Sequence, residues 1–279
     1  MRIDSHQHFW NYEPVKDAWI SDAMPVLKKD YLPQDLKPLL EAHNFDGCIA
    51  VQADQSETET HFLLELAKQH PFIKGVVGWV DLCSPNISER LEYFSQFALL
   101  RGFRHIIQAE KQADYILRDD FCMGISLLER YNFTYDILVV PSQLSHVLKF
   151  VKRFPNQAFV IDHLAKPDFK NRKFEDWKTY MQQIAGFENV YCKVSGLATE
   201  ADWKNWKQDD FTDVLNITTD VFGTDRLMFG SDWPVCLLAA DYGQTLSIIQ
   251  RHFSSFSQEE QSKIWGLNAV GFYGLGDLS

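Results

Sequence analysis

The sequence lacks any apolar run approaching the roughly 18 residues that a membrane helix needs. It also lacks a basic start leading into an apolar stretch; the polar His-Gln-His block near the N-terminus forbids a signal peptide. A soluble chain with no membrane partner is expected. Positive charge is short: 27 Lys and Arg stand against 38 Asp and Glu, a net charge of −11. Such a surface repels a phosphate backbone, which counts against nucleic acid as a partner. No C-x-x-C pair is present. Cys48, Cys83, Cys122, Cys192 and Cys236 are scattered and odd in number, which predicts reduced thiols and a cytoplasmic location. Finally, no G-x-G-x-x-G or P-loop follows an apolar run, which counts against an open, doubly wound nucleotide-binding sheet.

What is present is an alternation. Apolar strand-like runs at 2–8, 45–53, 73–81, 100–108, 133–140, 158–167, 189–197 and 226–234 are each followed by an amphipathic stretch. Those stretches lie near 32–44, 57–70, 88–97, 119–131, 141–154, 173–186, 211–222 and 241–253. Strands apolar almost throughout, each leading into a helix, indicate a parallel sheet with both faces covered. Eight such units in 279 residues predict a single α/β domain over 1–279, a closed (β/α)₈ barrel. The tail from Ser257 reads as a closing helix, with Trp265 and Phe272 on the outside or bottom.

Two connections exceed the usual two to six residues: 11–33 after the first strand and 198–210, with Trp203 and Trp206, after the seventh. Both follow strands, so both fall at the barrel's C-terminal mouth, where these folds place active sites. Their aromatic, mixed-charge composition predicts a lid over a small polar ligand.

Chemistry is sought at the same strand ends. His6 and His8 are two apart, so an extended strand points both imidazoles the same way. His163 ends the sixth strand, and Asp232 ends the eighth, which ring closure brings beside the first. Three histidines and a carboxylate suit one divalent ion, zinc first, and a hydrolytic water whose proton the aspartate takes. Arg104 and His105 from strand four could stabilise an oxyanion, and Lys193 from strand seven adds a cation. Gln52, Asp81, Asp162 and Ser195 are the other polar strand-end positions. Trp79 and Trp233 could form a flat apolar wall for a small ligand, with Lys166 at the mouth and Glu110 as a ligand or substrate contact. His43, His61, His70, His146 and His252 fall on helices and read as structural.

The blocks H-x-H, HLAKP, CKVSGL followed by TEADW, and FGSDWPVC, in that order, resemble the amidohydrolase superfamily and, within it, the branch of sugar-lactone hydrolases. The resemblance covers essentially the whole chain. It implies a (β/α)₈ barrel, hydrolysis of a sugar-acid lactone, and His6, His8, His163 and Asp232 in the catalytic cluster. Neither FRHIIQ nor DILVVP offers the bridging lysine of two-metal members, so the chain resembles the group with one metal or none. A metal-dependent decarboxylase and a non-catalytic sugar- or metal-binding barrel are the alternatives, and a homodimer is left open.

Overall fold

In the computed structural model, which describes residues 1–276, eight strands form one sheet in sequence order. They are β1 Ile3–Gln7, β2 Gly47–Val51, β3 Ile73–Gly78, β4 Leu100–His105, β5 Thr134–Ile137, β6 Phe159–Ile161, β7 Val190–Val194 and β8 Leu227–Phe229. Every neighbouring pair is parallel. The ring closes through the parallel bridge of Gln7 to Trp233, with Ser5 Oγ donating to the Phe229 carbonyl at 2.6 Å. The expected (β/α)₈ architecture is therefore present. Residues 277–279 of the expected domain lie outside the described residues.

The helices are α1 Pro33–Ala42, α2 Glu57–Gln69, α3 Ile87–Phe94, α4 Asp119–Leu128, α5 Leu144–Val151, α6 Glu175–Ala185, α7 Leu197–Glu200, α8 Thr212–Phe222, α9 Tyr242–Phe253, α10 Gln258–Ser262 and α11 Asn268–Phe272. Among them, α7 is a single turn inside the seventh connection. Starts follow side-chain chemistry: Ser56 caps α2 by accepting from Glu59 N, and Asp241 caps α9 by accepting from Gln244 N. Among the described residues, no helix is long and apolar enough to cross a membrane.

Alternation along each strand builds two cores. Outward residues such as Cys48, Phe103, Tyr135 and Phe159 pack under the helices. Inward residues Ile3, Ile49, Val51, Val77, Val160 and Met228 fill the barrel's lower half. The tail plugs that end from below with Ala269, Tyr273 and Leu275, while Trp265 packs on Phe229 and Phe272 on Tyr191.

The first long connection is a pinned flap. Trp10 and Tyr31 exchange two backbone hydrogen bonds of 2.9 Å, and the Trp10 indole donates to the Lys29 carbonyl. Strand six ends earlier than its apolar run predicts. From His163 to Lys166 the chain makes a left-handed turn, with φ between +52° and +55° at four consecutive non-glycine residues.

Candidate active site

Ring closure does the first piece of assembly. The Asp232 amide donates to the His6 carbonyl at 2.8 Å and the His8 amide to the Trp233 carbonyl at 2.7 Å, so the two chain ends are stitched at the mouth. His6 Nε2 and His8 Nε2 then lie 3.2 Å apart. Asp232 Oδ1 stands 3.5 Å from His8 Nε2, 4.0 Å from His6 Nε2 and 3.9 Å from His163 Nε2. The four residues named from sequence as the cluster do meet.

Holding them costs backbone strain. Asp232 has φ +57° and His163 φ +52°, conformations that disfavour L-residues by about 1–2 kcal/mol each. Burial of Leu164 and Ala165 and a 2.6 Å bond from the Trp177 indole to the Leu164 carbonyl fix the turn that carries His163. Glycine makes room beside both histidines. A Cβ at Gly196 would lie 2.9 Å from His163 Nδ1, and one at Gly230 would lie 2.6 Å from the His6 Cβ.

Hydrogen bonds set the protonation pattern. His8 Nδ1 donates to the Val51 carbonyl at 2.8 Å, which leaves Nε2 a bare lone pair facing the cluster. Burial holds His163 down to about 4, and His6 well below the ordinary histidine value, so both are neutral. Burial acts on Asp232 in the opposite direction, but the neighbouring His163 outweighs it and keeps the carboxyl below its ordinary value. Asp232 is thus an anion beside the neutral imidazoles of His6 and His163.

Directly beneath lies a buried ionic layer. At the upper ends of β4, β5 and β7, and just past β6, the inward residue is charged: Arg104, Asp136, Lys193 and Asp162, two positive and two negative. Lys193 Nζ is 2.5 Å from Asp136 Oδ2, 3.1 Å from Asp162 Oδ1 and 3.1 Å from His6 Nδ1. Arg104 Nη1 donates to Asp162 at 3.0 Å and faces His6 Nε2 at 3.2 Å, and its other arm donates to the Gln52 carbonyl. Tyr273 reaches up from the tail to donate to Asp136 at 2.9 Å.

Above the cluster is a cavity of about 260 Å³. His8, Arg104, His163, Lys166 and Asp232 line it. Other expected contacts sit elsewhere. Lys193 is enclosed in the ionic layer and does not reach the cavity, because both aspartates hold its ammonium. Trp233 is buried edge-on against Phe9 and Tyr31, so it is core rather than sugar wall. His105 has both nitrogens engaged: Trp79 Nε1 donates to Nδ1 at 3.2 Å, and Nε2 pairs with Glu110 at 2.7 Å. That relay leaves His105, Glu110 and Trp79 behind the wall rather than in it. The anticipated lid divides. Trp19 of the first connection lines the cavity, whereas the Trp203 indole donates to Thr199 O and that of Trp206 to Ala239 O, both away from it. Trp10, Gln108 and Thr199 line the cavity without having been singled out from sequence; of the three, only Thr199 lies in a quoted motif, as the first residue of TEADW.

A divalent ion fits the donor set. His6, His8 and Asp232 offer ligand atoms within 4.8 Å of one another, and the two facing imidazole nitrogens, 3.2 Å apart, suit a shared cation or proton. His6, Asp162 and His163 form a second such group. There, however, Arg104 and Lys193 already neutralise Asp162, so the Asp232 face is the better cation seat.

The amidohydrolase family model matches residues 3–275. The chain belongs to the amidohydrolase family. Within that family it is 42% identical to an L-fucono-1,5-lactonase of Burkholderia multivorans, over 99% of this chain and 96% of that protein. It is 33% identical to an L-fucono-1,5-lactonase of Burkholderia ambifaria, over 98% and 95% of the two. A crystal structure of a Burkholderia multivorans amidohydrolase with zinc bound superposes with a TM-score of 0.96 at 41% identity, covering 99% of this chain and 100% of that one.

Proposed function

We propose that this amidohydrolase opens a sugar-acid lactone of the L-fucono-1,5-lactone type to the free aldonate. The observation that carries the reading is the Asp232 carboxylate, ionised and held among His6, His8 and His163 on the floor of a cavity sized for one monosaccharide. Asp232 takes a proton from the attacking water and returns it to the ring oxygen as the ester bond breaks. Negative charge growing on the carbonyl oxygen lies in the field of Arg104, a buried cation that lines the same cavity. Trp19 gives the sugar a flat wall, and Ile106, Leu138 and Val235 give a deoxy-sugar methyl an apolar seat. His6, His8 and Asp232 would hold a single divalent ion, zinc by the chemistry of its nitrogen and oxygen donors, which supplies Lewis acidity and an acidified water. All five cysteines are free, which supports action in a reducing cytoplasm.

The test is a panel of aldonolactones followed by proton release, with and without added zinc or manganese. Wild type should exceed the spontaneous rate, and Asp232→Asn should lose about 10²–10⁴-fold in kcat, the range for removing a general base. No turnover of any lactone removes the reading. Carbon dioxide released from a carboxylated substrate without lactone opening would decide for a decarboxylase. An Asp232→Asn protein with unchanged function would leave a binding barrel.

A further inference from the structure

We infer that Gln108 and Thr199 are the residues that read the ring hydroxyls of the substrate and so set which lactone is opened. The inference rests on the lactonase reading and extends it to specificity.

Most polar groups lining the cavity are already spoken for. Arg104 is tied to Asp162, His6 and the Gln52 carbonyl, and Lys166 is paired with Glu200 at 2.8 Å. Two neutral side chains are not. Gln108 Oε1 and Thr199 Oγ1 are buried without a hydrogen-bond partner among the described residues. Leaving such an atom unpaired costs about 1–3 kcal/mol, so it marks a place where a ligand completes the bonding.

The backbone beneath each is fixed. The segment bearing Gln108 is held by Ile106 N to Gln55 at 2.7 Å, Gln108 N to the Leu138 carbonyl at 3.1 Å, and Gln143 to the Ile107 carbonyl at 3.0 Å. The Trp79–His105–Glu110 relay clasps the same segment at both ends, which gives those three residues a positioning role. Thr199 sits in α7, whose next residue, Glu200, is the partner of Lys166 across the mouth. The two residues line the same cavity as Asp232 and come from segments three strands apart, after β4 and β7.

The chemistry of the pair selects the ligand class. An amide and a hydroxyl each donate and accept, which matches an alcohol and not a carboxylate or phosphate. With Lys166 occupied by Glu200, the wall favours a neutral polyhydroxy ring. A site built to bond a hydroxyl rejects the analogue lacking it far more strongly than an apolar pocket rejects an extra methylene.

The experiment pairs Gln108→Leu and Thr199→Val with L-fucono-1,5-lactone and its singly deoxygenated analogues. Each variant should lose roughly 10- to 100-fold in kcat/KM on the parent lactone, mostly through KM. For one analogue per variant that further loss should vanish, because hydroxyl and side chain are removed as a pair. Thr199→Ser keeps the hydroxyl and should behave as wild type, which separates lost recognition from lost folding. Unchanged kcat/KM in both variants, or losses that multiply with every deoxygenation, overturns the assignment while leaving lactone hydrolysis standing. A wild-type protein that opens none of these lactones overturns both.

Discussion

Two layers inside one barrel differ in everything but their backbone. The lower is made of Ile3, Ile49, Val51, Val77, Val160 and Met228, and the upper of Arg104, Asp136, Asp162 and Lys193. Val160 and Asp162 are two residues apart on the same chain segment and face the same interior. The lower layer stabilises through apolar area removed from water. The upper layer has to offset the desolvation of four charges, and a well-packed apolar replacement of such ions is often as stable or more so. What the ions contribute is placement: Lys193, Asp162 and Arg104 surround His6 on both ring nitrogens. The barrel keeps its stability low down and its chemistry high up.

The largest effect should come from breaking the upper layer. Lys193→Met leaves Asp136 and Asp162 with one remaining cation, and should cost about 3–5 kcal/mol in denaturant unfolding together with most of the activity. Adding Asp136→Asn should recover part of that stability. A Lys193→Met protein as stable and active as wild type would deny the layer any role.

A smaller effect tests burial of charge outside the compensated layer. Glu59 is buried on α2 with only Lys16, 3.9 Å away, as a nearby cation among the described residues, and burial pushes its carboxyl up to about 7 against an ordinary 4.5. The folded state therefore holds more protons than the unfolded chain across that window. Stability should fall as pH rises from about 4.5 to about 7 and stay level above it. Glu59→Gln should flatten this slope, worth about 1–3 kcal/mol, when unfolding is measured at pH 5 and pH 8. An unaltered slope would place the titration elsewhere.

The smallest effect belongs to the apolar layer. Ile49→Val removes one methylene from the barrel floor and should cost about 1 kcal/mol with kcat unchanged. A loss of kcat there would show that the two layers are mechanically linked.

The legible parts of the sequence were those with a period. Strands rich in Val and Ile alternating with amphipathic helices predicted the ring, and the ring made His6 and Asp232 neighbours despite their distance in the chain. Asp136 escaped because FTYDILVV reads as one apolar run; only the inward register shared with Arg104 marks it. The early end of β6 escaped for a different reason. His, Leu, Ala and Lys have no preference for the left-handed region, so the His163–Lys166 turn is imposed by tertiary packing and by Trp177. His105 and Trp233 looked like site residues from their places at strand ends, yet their partners lie behind the wall. Gln108 and Thr199 belong to residue types common on any surface, and although Thr199 opens the TEADW block, the unpaired atoms that mark both emerge only in three dimensions.

Tyr273 joins the plug to the ions: its ring fills the floor while its hydroxyl completes Asp136. A chain growing from its N-terminus has made every member of the ionic quartet before this residue exists. Until the tail docks, the barrel's lower end lacks its stopper and Asp136 lacks a donor, so water keeps access to charges that the finished protein seals. Sealing of the barrel's lower end is thus coupled to a side chain made after all four charges.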